Sequence, residues 1–120
     1  MASEGDDITE KSLGLIRGTL GLLILKALST GEKHGYAVSE WLEKVTDGRL
    51  LLEEGTLYPA LHRLERRRLV AAEWGLSENN RRAKYYRLTE AGSRRLALEA
   101  TNWHSYSDAV GKALAEGGAA

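Results

Sequence analysis

Cysteine is absent from the chain. That excludes a disulfide framework and a thiolate-held zinc. Histidine is scarce: His34, His62 and His104 stand far apart, without the HxxxH spacing that sets two imidazoles on one helix face. We expect capping or solvated histidines, no metal and no cofactor. No apolar run approaches the ~20 residues that a bilayer-spanning helix needs. The longest, Leu20 to Leu28, is broken by Gly21 and Lys26. The opening MASEGDDITEK is acidic and lacks the apolar core of a secretory signal. The expectation is a soluble, cytoplasmic protein with no membrane partner. Catalytic signatures are missing as well. There is no nucleophile–base pair, and Gly14, Gly18 and Gly21 do not follow a strand, so they are no dinucleotide fingerprint. An enzyme is not expected.

Net charge is also lacking: 17 Lys and Arg balance 17 Asp and Glu. Neutrality alone argues against a general nucleic-acid coat, but the distribution is uneven. From Arg81 to Arg95 stand Arg81, Arg82, Lys84, Arg87, Arg94 and Arg95 against the single acid Glu90. The acids gather at the two ends and around Glu40 to Glu54.

The 120 residues suffice for one domain with one core. Residues 1–12 show no apolar period and read as a mobile arm. Leu13, Ile16, Leu20, Leu23, Ile24, Ala27 and Leu28 form a helical stripe that Ser29-Thr30-Gly31 stops. A second helix spans about Gly35 to Thr46, with Val38, Trp41, Leu42 and Val45 as its buried face. Asp47-Gly48 turns the chain, and Arg49 to Leu52 reads as extended. The third helix begins near Gly55 or Thr56. The only proline, Pro59, is tolerated best in a first turn, so the helix cannot start much before Glu54. Leu57, Leu61 and Leu64 face inward, and Thr56, Tyr58, Pro59, His62, Arg63 and Arg66 face outward. A strand from Val70 to Trp74, a polar loop with Asn79-Asn80, and a returning strand from Lys84 to Leu88 make a hairpin. Tyr85 and Tyr86 alternate faces, so one belongs to the core. Thr89 is a good N-cap for a last helix to about Ala115, roughly 40 Å long. Its seam, Leu96, Ala100, Trp103, Ser107, Val110 and Leu114, alternates spacings of four and three, as in a coiled coil. Such a helix is too long for the small core, and a second copy of the chain is the expected partner for its seam.

The fold class expected is therefore mainly α with a small β-hairpin. Residues 13–88 form a winged helix-turn-helix, residues 89–115 a dimerisation helix, and residues 116–120 a frayed tail. A recognition helix at about 55–67 with basic and hydroxyl groups outward, followed by a basic wing at about 75–84, is the layout of a module that docks on DNA.

At these residues the chain resembles the PadR family of bacterial transcriptional regulators. The matching pieces are RGTLGLLILKAL (Arg17 to Leu28), HGY (His34 to Tyr36), GTLYPALHRLE (Gly55 to Glu65) and RRAKYYRLTEAG (Arg81 to Gly92). They come in the family's order and spacing and cover about Arg17 to Val110. The stretch SENNRRAKYY is similar to a variant seen in an acidobacterial-type subgroup. The resemblance implies a homodimer that represses by binding double-stranded DNA at a pseudo-palindromic operator. It places Thr56, Tyr58 and Arg63 on the recognition helix, Tyr36 near the DNA backbone, and Lys84 at the wing base. Three departures stand out. Glu53-Glu54 replace the usual Ser or Pro before GTLY; these acids suit a helix N-terminus but repel a phosphate. Arg81-Arg82-Ala83 stand where many members have Gly or Pro. Arg67-Arg68-Leu69 stand where many have Glu-Gly-Leu.

The DNA-contact set expected is Tyr36, Thr56, Tyr58, His62, Arg63, Arg66, Arg81, Arg82 and Lys84. Solvated surface charge is the competing reading, and the adjacency of the two clusters weighs against it. Arg94 and Arg95 are expected to pair with nearby glutamates, and Trp41 and Trp74 to be structural. Trp103 has two readings: a hydrophobic dimer anchor, or, with Tyr106, a stacking surface for a small aromatic effector, as the resemblance implies for some members. A winged-helix module that binds protein and not DNA is the alternative function; neutral charge and Glu53-Glu54 favour it slightly.

Overall fold

The computed structural model describes residues 13–117, with side chains from residue 18 onward. The expected arm, 1–12, residues 118–120 of the expected tail, and the side chains of Leu13 and Ile16 lie outside that description.

Helix α1 (Leu13–Ser29) is the centre of the fold. It packs on every other helix and on the sheet. Its buried residues, Leu20, Ile24, Leu25, Ala27 and Leu28, take up one broad side of the helix, and exposed Gly18, Lys26 and Ser29 share the narrower wet side. Leu25, fully buried, lies off the predicted stripe. Ser29 and Thr30 end the helix, their hydroxyls donating to the carbonyls of Lys26 and Ala27 at 2.6 and 2.8 Å.

A two-residue strand, β1 (Lys33–His34), follows. Helix α2 (Gly35–Val45) starts directly on it. His34 is its N-cap: Nδ1 accepts the Ala37 amide at 3.1 Å. Val38 and Leu42 are buried and Trp41 packs against the core. Val45, expected on that face, is instead exposed; the last turn of α2 runs past the residues that cover Leu42. Thr46 closes the helix by donating to the Leu42 carbonyl and accepting the Leu50 amide. The extended stretch that follows is held by Ser39, whose hydroxyl donates to the Leu52 carbonyl.

Helix α3 (Glu54–Arg66) buries Leu57, Ala60, Leu61 and Leu64. Pro59 is its sixth residue, in the second turn and not the first. Its missing N–H leaves the Gly55 carbonyl without the usual partner, which exposure of Gly55 to water offsets. The helix ends with Arg68 in the left-handed region (φ 62°). The Leu69 amide then reaches the Leu64 carbonyl and the Arg68 amide reaches that of Glu65. This is a Schellman stop.

Strands β2 (Val70–Leu76) and β3 (Arg82–Leu88) pair antiparallel from Val70↔Leu88 to Leu76↔Arg82. Both run further toward the tip than the predicted strands. Asn80 takes φ 60° in the connecting turn, as its side-chain chemistry allows. The strand β1 joins the far edge of β3, giving the order β1-β3-β2, a third strand the sequence reading does not include. Tyr86 is the core tyrosine, 1% exposed; Tyr85 donates its hydroxyl to the Leu76 carbonyl.

Thr89 caps helix α4 (Glu90–Ala115), accepting the Gly92 amide at 3.0 Å. Its hydroxyl also lies 2.8 and 3.0 Å from the carbonyls of Arg68 and Leu69, so one residue ties the end of α3 to the start of α4. Gly92 is buried there with its α-carbon against the Leu69 carbonyl. Leu96 packs on the core; from Thr101 to Gly117 every residue except half-buried Val110 is exposed. The free half of α4 gives the molecule its 57 Å long axis.

Candidate nucleic-acid interface

The core leucines of α3 fix which face looks outward. His62, Arg63 and Arg66 are exposed on that face, with Gly55 and Pro59, and Thr56 is half-buried. Tyr58, expected among them as an outward hydroxyl, is half-buried against α2. Its ring lies on Gly35 so closely that a Cβ there would come within 2.6 Å of it. Burial, and secondarily the Glu54 charge, push the Tyr58 phenol up from its ordinary value. Tyr36, one residue after this contact, is 64% exposed at the start of α2.

The wing stands beside α3. Alternation along β2 and β3 places Trp74, Leu76, Arg82 and Lys84 on the face that carries Tyr86. Beyond the core edge this face looks across an open groove of about 830 Å³ toward Tyr58 and His62, with His34 and Tyr36 at its other side. Arg81 and Arg82 are exposed on its wing side. Lys84 is less free: Nζ is 3.2 Å from Glu65 Oε1 on α3, and it lies 5.6 Å from the centroid of the Tyr86 ring. Its side chain is 30% exposed, and its charge is shared with a carboxylate. It joins the wing base to α3. Trp74, expected to be structural, is 57% exposed with the Arg82 guanidinium 4.5 Å from its ring centroid.

His34, for which capping or solvation was the expectation, also belongs to this region and stands outside the expected DNA-contact set. It caps α2, meets the Tyr85 ring at a tilt of 45° with centroids 5.5 Å apart, and lines the groove. The signal was faint, because histidine is outside the usual Ser, Thr, Asp and Asn capping set.

On the other side of Tyr36 the surface turns acidic. A second recess of about 500 Å³, at the start of α3, is lined by Glu40, Glu43, Glu53 and Glu54 with exposed Leu51. The outward surface thus runs from negative at the N-terminus of α3 to positive at its C-terminus and wing.

Along α4, Arg94 pairs with Glu90 and Arg95 with Glu99. The seam residues divide. Leu96 packs on its own core, and Ala100 and Val110 are half-buried. Trp103, Ser107 and Leu114 are exposed, Leu114 at 78%; Tyr106 is exposed at 65%. No helix among the described residues is long and apolar enough to cross a membrane, and no group of His, Asp and Glu among them could hold a metal ion.

Three helices closed by a small antiparallel sheet, with a cationic outward helix beside a basic hairpin, define a winged helix-turn-helix protein. A family model described as the transcriptional regulator PadR-like family matches residues 24–98. A PadR family transcriptional regulator from Eggerthella lenta is 35% identical, covers 97% of this chain and 99% of its own, and superposes with a TM-score of 0.74. A transcriptional regulator from Clostridium thermocellum is 30% identical over 82% of this chain and 96% of its own, with a TM-score of 0.75. The transcriptional regulator YqjI of Escherichia coli K12 is 33% identical over 76 residues, 63% of this chain; the match spans only 35% of YqjI. The chain belongs to the PadR-like family, and is a DNA-binding transcriptional regulator with no catalytic role.

Proposed function

We propose that the chain acts as a homodimeric, sequence-specific repressor. In this reading α3 enters the major groove of a pseudo-palindromic operator, and the wing grips the flanking backbone. His62, Arg63 and Arg66 approach base edges or phosphates. Thr56 and Tyr36 donate hydroxyls to the backbone. Arg81 and Arg82 meet phosphates from the wing. Tyr58 and Lys84 serve the same surface indirectly, one seating α3 on α2 and the other bolting the wing to α3. Residues 13–88 form the DNA-binding unit and residues 89–115 the dimerisation helix. The single observation that carries this reading is that His62, on the exposed face of α3 that also bears Arg63 and Arg66, shares one groove with Arg81 and Arg82 of the wing. The acidic recess beside it is the feature that favours a protein-binding module, but it lies at one end of the surface only.

Two copies paired through α4 would set their recognition helices about 34 Å apart, one turn of the duplex. Exposed Trp103 and Leu114, with half-buried Val110, supply apolar surface for that pairing, and exposed Trp103 with Tyr106 offers flat rings on which a small aromatic effector could stack and shift the dimer's geometry. The test is fluorescence anisotropy of a labelled duplex from the gene's own upstream region against a scrambled duplex. Preference for the native duplex supports a specific regulator acting on its own promoter. Salt-steep binding without preference places the operator elsewhere. No binding at low salt overturns the reading of a repressor that binds DNA without an effector, in favour of a ligand-requiring regulator or the protein-binding alternative.

A further inference from the structure

Trp74 is out of place for a core residue. It stands on the wing beyond the last buried position of β2, where exposure of a large indole gains nothing from burial. Cross-strand register sets it opposite Lys84 and diagonal to Arg82, a separation that long side chains span. The Arg82 guanidinium lies over the ring at 4.5 Å from the centroid, close enough for a cation–π contact. Among the described residues no ion pair involves Arg82, whereas Lys84 is taken by Glu65. Of these two inner-face cations of the wing, then, Lys84 is bound to a carboxylate and Arg82 is bound only to an aromatic face. A cation–π contact orients a guanidinium without neutralising it. Both groups line the groove that separates the wing from α3, with Arg81 next to them.

An arginine in solution gives up much rotamer freedom when it grips a phosphate. One already laid on an indole has given up part of that freedom before DNA arrives. We propose that Trp74 is a positioning residue of the wing, holding the charged head of Arg82 over the groove so that it meets a phosphate of the DNA strand passing between wing and α3. The inference rests on the reading of the wing as a DNA-contacting element. Phosphate contact is independent of sequence, so a labelled random-sequence duplex titrated across salt concentrations is a sufficient probe.

The experiment compares the full chain with Arg82→Ala, Trp74→Leu, Trp74→Phe and the Trp74→Leu/Arg82→Ala double variant, with a thermal melt of each. Arg82→Ala is expected to lower the salt slope by about 0.9, the release of one phosphate. Trp74→Leu is expected to weaken binding about two- to five-fold without shifting the melt. Trp74→Phe should restore most of that affinity, because it keeps an aromatic face. The double variant should bind no more weakly than Arg82→Ala alone. Wild-type affinity in Trp74→Leu overturns the proposal, as does an unchanged slope in Arg82→Ala. Additive effects in the double variant overturn it too, whether or not the melt shifts, since Trp74 then acts without Arg82. In each of these cases the wild type still binds and the DNA reading stands. A wild type without salt-dependent binding overturns both.

Discussion

At the scale of single residues, two positions show how backbone geometry writes the sequence. Gly92 has no room for a side chain, because a Cβ would lie far inside contact distance of the Leu69 carbonyl, and a backbone atom cannot swing aside. Gly92→Ala should therefore destabilise the fold by about 3 kcal/mol, at the upper end of ordinary overpacking, read as a lowered midpoint in urea. An unchanged midpoint would show that α4 can retreat from Leu69 without cost. Arg68 is the opposite case. It holds the left-handed conformation at the end of α3 where a glycine would be unstrained, and where the family resemblance sets one. Arg68→Gly should stabilise the protein by about 0.5–1 kcal/mol, the relief of left-handed strain less the added freedom of the unfolded chain. A lower melting temperature would mean that the arginine side chain makes a stabilising contact that outweighs the strain.

At the scale of elements, the helices and the hairpin were legible because apolar period, cap and turn agreed with one another. Leu57, Leu61 and Leu64 at helical spacing, Thr89 before a helix, and Asn79-Asn80 between alternating runs each named their element. What stayed hidden depended on tertiary partners. The strand β1 is two residues long and has no period of its own; only the edge of β3 makes it a strand. Val45 obeys the spacing of α2 yet lies past the end of the core, and Trp74 obeys strand alternation yet lies past its edge. Tyr58 was misplaced for a related reason. Position on α3 told that it was off the leucine face, but not that Gly35 of α2 leaves a hollow for its ring. The α2–α3 junction carries a pH signature. Burial raises the phenols of Tyr58 and Tyr86; Glu54 adds to the first, while for the second the Lys84 charge opposes burial and Glu65 and Tyr58 support it. A raised folded-state value favours the neutral phenol in the native state. The stability this contributes is whole below the ordinary value of 10.0 and is lost as pH rises through the raised values. Urea melts should therefore be flat with respect to these groups at neutral pH and fall above about pH 10, less steeply in Tyr58→Phe. Equal steepness in the variant would remove Tyr58 from the account.

At the scale of the molecule, neutral net charge conceals a polar outward surface. Carboxylates crowd the N-terminus of α3 and cations its C-terminus and wing. The residue types of this surface could be read from the sequence, but the sharing of one groove by His62, Trp74 and Arg82 required the fold. The exposed half of α4 is the other large-scale feature. If it pairs with a second copy, Val110→Glu with Leu114→Glu should yield monomers in sedimentation while leaving the core intact; dimers of unchanged stability would place the interface elsewhere. In the proposed complex the cations of α3 and of the wing meet the DNA backbone together. The measurement that reaches this joint contact most directly is the salt slope of binding to the native upstream duplex, wild type against an Arg63→Ala/Arg66→Ala/Arg81→Ala variant. The slope of the variant should be lower by up to about 0.9 for each phosphate that it no longer neutralises. A variant with the wild-type slope would contradict the joint contact, whatever its affinity.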